Sequence, residues 1–496
     1  MVLVALCFVA VLAISVGSYL ALSTQAMKLS NRTFQTTLSE HLAEMGLEYG
    51  IAAMNRLNDI NPPPPFAAWA GSGTTATWSP AGANITGLIT LPAGKYGDIG
   101  VVGLINVRID NYTVPTNARP WDPAANYLSG QTVTYGGNWY RCPAGSLGQP
   151  PPGSPWMLVS PMIHAEGVVT LPDGTNQIKT QLVATLSCSS PFPNTLAATN
   201  SLALGAGTSV DSYDSTAGTY TPNTGFSAVV AGSNTASTAV SMLGAVINGY
   251  VAAPADPTSS FSPNWSYDAS TVVKGTVAVP FPKVDLTRVS RSPYIPAFSI
   301  LPAAAGTPLV LASGANTDIG TSGNVYPTVY SVAGDLDFSA ASTTLTINGP
   351  VVLDVSGNII LTGNGSKIIL PMLENGSAEI HFVGTLNAVA GLGGGIENDT
   401  LNPQKLVLLS SNPSSFNVFS SSIDFYGAIY LPNGGLTWTG ANLFGAVSAA
   451  TFTASGPAFH YDTSLQTLWV PGVESPYVIS KWREVTSSAD PDHVNF

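Results

Sequence analysis

The sequence predicts a mainly β protein with one long N-terminal α-helix. It further predicts a β-rich domain, a small three-stranded insert and a right-handed parallel β-helix, with a β-sandwich as the alternative for that last part. Three observations carry this expectation. Residues 1–27 hold no charged side chain, and a helical apolar pattern continues from Lys28 to about Asn58. Beyond residue 66, short β-branched runs alternate with turn residues, among them many of the chain's 49 Gly and 38 Pro. Only 9% of the 496 residues are charged, against about 25% in an average domain. The net charge of −12 leaves no basic face for nucleic acid.

The helix comes first. About 20 apolar residues span a bilayer core, so 1–27 is long enough. No Lys or Arg precedes Lys28, as the start of a cleaved signal peptide would require. Ser15, Gly17, Ser18 and Ser23 place small residues where helices can approach closely in apolar surroundings, and Gly17 is a plausible local loosening point. Phe34, Leu38, Leu42 and Met45, then Leu47, Ile51, Met54 and Leu57, keep helical spacing. Glu40, Glu44 and Glu48 form a second stripe, either a solvated face or a set of intersubunit ion-pair partners. Prolines 62–65 end the pattern, since proline lacks the N–H and restricts its predecessor. A rod of about 80 Å, at about 1.5 Å per residue, cannot bury itself in its own domain. It needs a membrane, copies of itself, or each in turn. The residues expected to pack in such an assembly are Val2, Leu3, Ala5, Leu6, Phe8, Leu12, Gly17 and Leu20, with Glu44 and Glu48 further along.

Together with Leu42-Ala43-Glu44-Met45-Gly46-Leu47-Glu48, this helix resembles that of the type IV pilin superfamily. The resemblance covers about 55 residues. It implies a homo-oligomeric helical filament outside the cell, whose subunits wait in the inner membrane after a leader is cut off. The uncharged start fits numbering from the mature N-terminus. One departure matters: the family's usual glutamate, thought to meet a neighbour's N-terminal amine, is replaced here by Ala5. A simple single-span anchor is the competing reading.

Residues 66–118 and 157–195 read as strands of one β-rich domain, with one wet face visible in Gln177-Ile178-Lys179-Thr180-Gln181-Leu182-Val183. Residues 119–156 interrupt it with Trp121, Tyr127, Tyr135, Trp139, Tyr140 and Trp156, and Gly136-Gly137 predicts a tight hairpin. The pattern Tyr127-x-x-Gly130-x-x-Val133-x-Tyr135-x-Gly137-x-x-Tyr140, followed by prolines and Trp156, resembles family 5/12 carbohydrate-binding modules. That likeness implies stacking of sugar rings on exposed aromatic faces. Trp121, Trp139, Tyr127 and Trp156 are the candidate glycan-binding residues, Trp121 and Trp139 being the better candidates for exposure. Tyr127, Tyr135, Tyr140 and Trp156 fit equally as the core of a tiny domain, and Cys142-Pro143-Ala144-Gly145 stands where members usually carry adjacent exposed aromatics.

From 196 to 470 the runs at Leu336–Phe338, Leu345–Ile347, Val351–Val355, Ile359–Leu361 and Ile368–Leu370 recur as stacked coils would. The hexamers FYGAIY and LFGAVS lie 18 residues apart. Residues 471–496, with Trp482, are expected to cap or cross the last coils. The 425–462 segment looks like the C-terminal β-helix of pilin-like surface proteins.

Chemistry is thin. Asp335, Asp337 and Asp354 read as turn acids rather than a glycosidase pair, and Lys283, Arg288 and Arg291 sit in a proline-flanked linker. No nucleophile, metal or phosphate motif occurs, so neither enzyme activity, nor a cofactor, nor a metal is expected. Cys7 reads as a packing residue. Cys142 and Cys188 could form a disulfide, which sequence does not establish. Surface glycans are the expected partner beside the chain's own copies. A membrane-anchored glycan-binding adhesin is the second reading, and a β-helix polysaccharide enzyme the third.

Overall fold

The computed structural model describes the backbone of 2–57 and, apart from short gaps, of 75–90, 102–111, 118–232, 240–253 and 309–496. Outside the described residues lie 58–74, with the proline stop expected at 62–65, and 91–101, 112–117, 233–239 and most of 254–308, including Lys283, Arg288 and Arg291. So do the side chains of 1–10, and with them Val2, Leu3, Ala5, Leu6 and Phe8. Two compact units emerge. One comprises Met1–Val114, Ser160–Ser187 and Tyr477–Phe496; the other comprises Pro115–Val159 and Cys188–Pro476.

The first unit is one helix on one sheet. The helix Val2–Leu57 is followed by strands Thr75–Ala81, Asn84–Thr90, Val102–Asp110, Met162–Thr170, Gln177–Cys188 and Tyr477–Val485, which neighbour one another in that order. The first five pair antiparallel. Leu38, Leu42, Ala43, Leu47 and Met54 are buried beneath the sheet, at the i, i+4 and i+5 steps of one helical face. The approach is closest along strand Met162–Thr170. A Cβ on Gly167 would meet the carbonyl oxygen of Ser39 at 2.0 Å, one on Gly46 would meet Ala165 at 2.8 Å, and one on Gly50 would meet Ile163 at 2.7 Å. Helix and strand thus run past each other in step: about 6 Å per four helical residues matches about 6.6 Å per two strand residues. The Ser39 and Thr180 hydroxyls hydrogen-bond at 2.6 Å within this interface.

The C-terminal segment does not cap the coils as expected. Tyr477–Val485 is the sheet's last strand. It is tied to the helix by Asn55, whose Oδ1 accepts from the Tyr477 N–H at 2.6 Å. Residues beyond it return to the sheet: Gln181 Nε2 donates to the Val494 carbonyl at 2.8 Å and to the buried Glu166 carboxylate at 3.0 Å. The physical reason is the alternation of Tyr477–Val485, which suits a sheet edge with one wet side and not the end of an apolar coil.

In the second unit the strands stack parallel, coil on coil, as a β-helix requires and a sandwich does not. One inward column runs Leu353, Ile380, Leu408, Ile429, Val447, Leu196, Val230, Val251. Every member whose burial is described is at most 1% exposed. The two hexamers lie in register, Phe425 on Leu443 and Gly427 on Gly445. Gly445 has φ +148, and a Cβ there would meet the Gly427 carbonyl oxygen at 1.8 Å.

The column also shows that the coils do not stack in sequence order. Leu196, at the start of the β-helix in sequence, sits on Val447 from its last coil, and Val230 sits on Leu196. The chain therefore begins and finishes its β-helix side by side, with the Ser189 N–H donating to the Pro476 carbonyl at 2.9 Å. That adjacency follows from the first unit, where Gln177–Cys188 and Tyr477–Val485 are neighbouring strands.

Gly167→Ala should force helix and sheet apart. We expect the first unit to lose about 1–3 kcal/mol or more, seen as a lower urea midpoint for the full chain in mild detergent; an unchanged midpoint would contradict this packing.

Candidate functional site

Two surfaces stand out. The first is the outer half of the helix. From Val11 to Phe34 no side chain is buried, and Ile14, Tyr19, Leu22 and Met27 are 66–73% exposed, with Leu12 and Leu20 also bare. At about 1.5 Å per residue this is about 35 Å of rod. Its hydroxyls turn inward: Ser15 donates to the Val11 carbonyl, Thr24 to Leu20 and Thr33 to Leu29, at 2.8, 2.8 and 3.0 Å. Such back-bonding removes the polar groups that apolar surroundings would penalise. A Cβ on Gly17 would find nothing within 4 Å, leaving a flat spot for a close neighbour. Glu44 and Glu48 are exposed beyond this rod, away from the sheet, with His41 Nδ1 3.1 Å from Glu44. Within the described residues no helix is long and apolar enough to cross a membrane; the uncharged 1–27 stretch lies only partly within them.

The second surface involves the insert. Its strands Arg119–Pro120, Thr132–Tyr135, Asn138–Arg141 and Met157–Leu158 form one small sheet, beside a two-stranded pair of Asn126–Tyr127 and Ser146–Leu147. Gly136 and Gly137, with φ +56 and +76, make the two-residue hairpin, a conformation that glycine adopts without strain. On one face Tyr127, Val133, Tyr140, Cys142 and Trp156 form the insert's own core. Tyr127 accepts from the Asp122 N–H at 2.6 Å, and Trp156 Nε1 donates to the Gln149 carbonyl at 2.6 Å. Burial holds the Tyr127 hydroxyl well above the ordinary tyrosine range. These two aromatics are therefore core and not ligand platforms.

Trp139 corrects the expectation more sharply. It is fully buried, its ring 5.5 Å from Trp469 of the β-helix and edge-on to it. The insert's second face is covered, so alternation along the hairpin cannot mark Trp139 as exposed. Lys405 and Asp122 pair at 2.5 Å in the same seam. Tyr135, read as a core candidate, is instead 40% exposed.

Trp121 and Tyr135 meet edge-on at 5.7 Å and line a cleft of ≈ 550 Å³ between the insert and the β-helix flank. Opposite them stand Asp214, Thr216, Asn402, Gln404 and Thr467. Asp214 Oδ1 caps a short turn by accepting from the Thr216 N–H at 2.9 Å. Behind it, buried Asp462 accepts from the Ser215 N–H at 3.1 Å and the Ser215 hydroxyl at 2.6 Å; burial nevertheless raises its pKa. Sequence reasoning found Trp121 alone. The five residues opposite come from three stretches, 214–216, 402–404 and 467, and the first of these reaches the others through the permuted coil order.

Residues 310–468 match a family described as a domain of unknown function (DUF7305). No curated protein and no solved structure matches the chain. The matched segment covers most of the regularly stacked coils and includes Gln404 and Thr467 of the cleft.

The proposed disulfide is not formed. Cys142 and Cys188 are both buried as thiols, Cys142 inside the insert's core. Asp335 and Asp337 are turn acids: Asp335 accepts from the Asn358 N–H at 2.7 Å, and Asp337 from the Ser339 N–H at 2.8 Å. Asp354 lies beside His381 on the next coil, and burial raises its pKa. Among the described residues no group of three or more His, Cys, Asp or Glu side chains is placed to hold a metal ion.

Two outcomes follow. Alkylation in denaturant without reductant should label Cys142 and Cys188 completely, as peptide mass mapping would show; protection of both would restore the disulfide. Trp139→Ala should cost about 3–5 kcal/mol in guanidinium unfolding of the second unit, while Tyr135→Ala should leave the midpoint unchanged.

Proposed function

We propose that this chain is the structural subunit of an extracellular filament of the type IV pilus kind. The outer helix packs with its copies as the filament's core, and the β units are displayed outside. The observation that carries this is the bare rod from Val11 to Phe34: a helix anchored at one end by a tight sheet interface, uncharged until Lys28, with apolar side chains on every side. Each large apolar side chain removed from water is worth about 1.5–3 kcal/mol, so a rod of this length does not stay bare.

Before assembly the inner membrane covers the apolar segment. On assembly, helix neighbours replace lipid, and small residues such as Ser15, Gly17, Ser18 and Ser23 favour close packing, which drives helix association where the hydrophobic effect no longer does.

Electron microscopy with immunogold labelling of material sheared from producing cells should find this chain along filaments. Leu20→Asp should reduce the sheared amount by about tenfold or more, because a carboxylate in an apolar helix core costs about 2.5–3.5 kcal/mol, while the β units keep their protease resistance. Finding the chain only in detergent-soluble membrane would overturn the proposal.

A further inference from the structure

We propose that Lys405 and Asp122 join covalently. The Lys405 Nζ condenses with the Asp122 side-chain carboxyl, which ties the insert to the β-helix through an amide and releases one water. The bond would form whether or not the chain polymerises.

Nζ lies 2.5 Å from Asp122 Oδ2, closer than the about 2.7–2.9 Å of a charge-assisted hydrogen bond. With that oxygen so near, the carboxyl carbon is within about 3–3.5 Å of Nζ, the separation of a near-attack pair. Both backbones are held. The Asp122 N–H donates to the Tyr127 hydroxyl at 2.6 Å, and Tyr127 is part of the insert's core. Lys405 ends a short turn capped by Asn402, and its N–H donates to the Asn402 carbonyl at 3.1 Å. Reactants fixed in this way reach effective concentrations of about 10⁵–10⁸ M.

The surroundings favour the amide. The Lys405 and Asp122 side chains are only 17% and 10% exposed, and an ion pair withdrawn from water carries a desolvation cost that an uncharged amide avoids. Beside Lys405 is a cavity of ≈ 30 Å³ with apolar walls from Ala378, Val407, Leu468 and Trp469. It has room for the released water, which needs about 10–15 Å³. Glu379 lines the same cavity and is buried. Its Oε1 accepts from the Gly472 N–H at 3.1 Å and faces His381 Nε2 at 2.8 Å, so the carboxylate is fixed where it can relay protons.

One ammonium proton passes by way of Glu379 to the Asp122 carboxyl, and the freed Nζ lone pair attacks Cγ. A second Nζ proton then passes to a carboxyl oxygen, the Cγ–O bond breaks, and that oxygen leaves as water. The ion pair already holds every atom and proton of the amide and the water, so no outside reagent is consumed.

Peptide mass mapping of the denatured full chain, purified in mild detergent, tests this. The peptide containing Lys405 should be joined to the one containing Asp122, lighter than their sum by one water and uncleaved by trypsin after Lys405. Lys405→Arg keeps the charge pair without a nucleophilic amine and should give the two peptides separately. Glu379→Gln should melt with the second unit still folded and lower the joined fraction about tenfold or more. Separate Lys405 and Asp122 peptides in the parent chain would overturn the proposal. An unchanged joined fraction in Glu379→Gln would overturn the relay assigned to Glu379.

Discussion

The close approach of the long helix to strand Met162–Thr170, through Gly46, Gly50 and Gly167, sets the geometry on which the rest of the first unit depends. With a Cβ on Gly167 already 2.0 Å from the Ser39 carbonyl oxygen, no side chain fits between helix and sheet. The inner half of the helix is thereby held in step with the strand, one turn against two residues. Leu38, Leu42, Leu47 and Met54 are buried as a consequence, and Asn55 is placed to receive Tyr477. An interface this tight takes up one face of the helix's inner half, leaving His41, Glu44 and Glu48 exposed on the other. The outer half has no sheet to reach and remains bare.

The same sheet explains the second unit's topology. Its neighbouring strands Gln177–Cys188 and Tyr477–Val485 are the two ends between which the whole β-helix is inserted. A β-helix wound in strict sequence order would leave its ends at opposite poles of the stack. Placing the first coil on the last one brings them together, and it also sets 214–216 beside 462–467. The polar wall of the cleft thus follows from where the chain begins and finishes its coils.

Much of this architecture was legible in the sequence, because it is written in local periodicity. The apolar run, the glycine hairpin at 136–137 and the paired hexamers at 425 and 443 each state their geometry within a few residues. What was not legible depends on segments far apart in the chain. Alternation in Asn138–Arg141 shows two faces but cannot reveal that Trp469 covers the second, so Trp139 read as exposed and Tyr135 as core. Repeat spacing identifies coils but not their stacking order, so the cleft partners of Trp121 were missed. The strand Tyr477–Val485 has an edge-like pattern, yet its partner strand lies nearly 300 residues earlier.

The central claim is that copies of this chain cover the bare rod. Thiol cross-linking tests it most directly, with Leu20→Cys placed in a Cys7→Ala chain and the buried Cys142 and Cys188 left in place. Oxidation of the sheared extracellular fraction should yield covalent dimers through position 20, and the membrane fraction should stay monomeric. Monomer alone in an extracellular fraction that contains the chain would contradict the account.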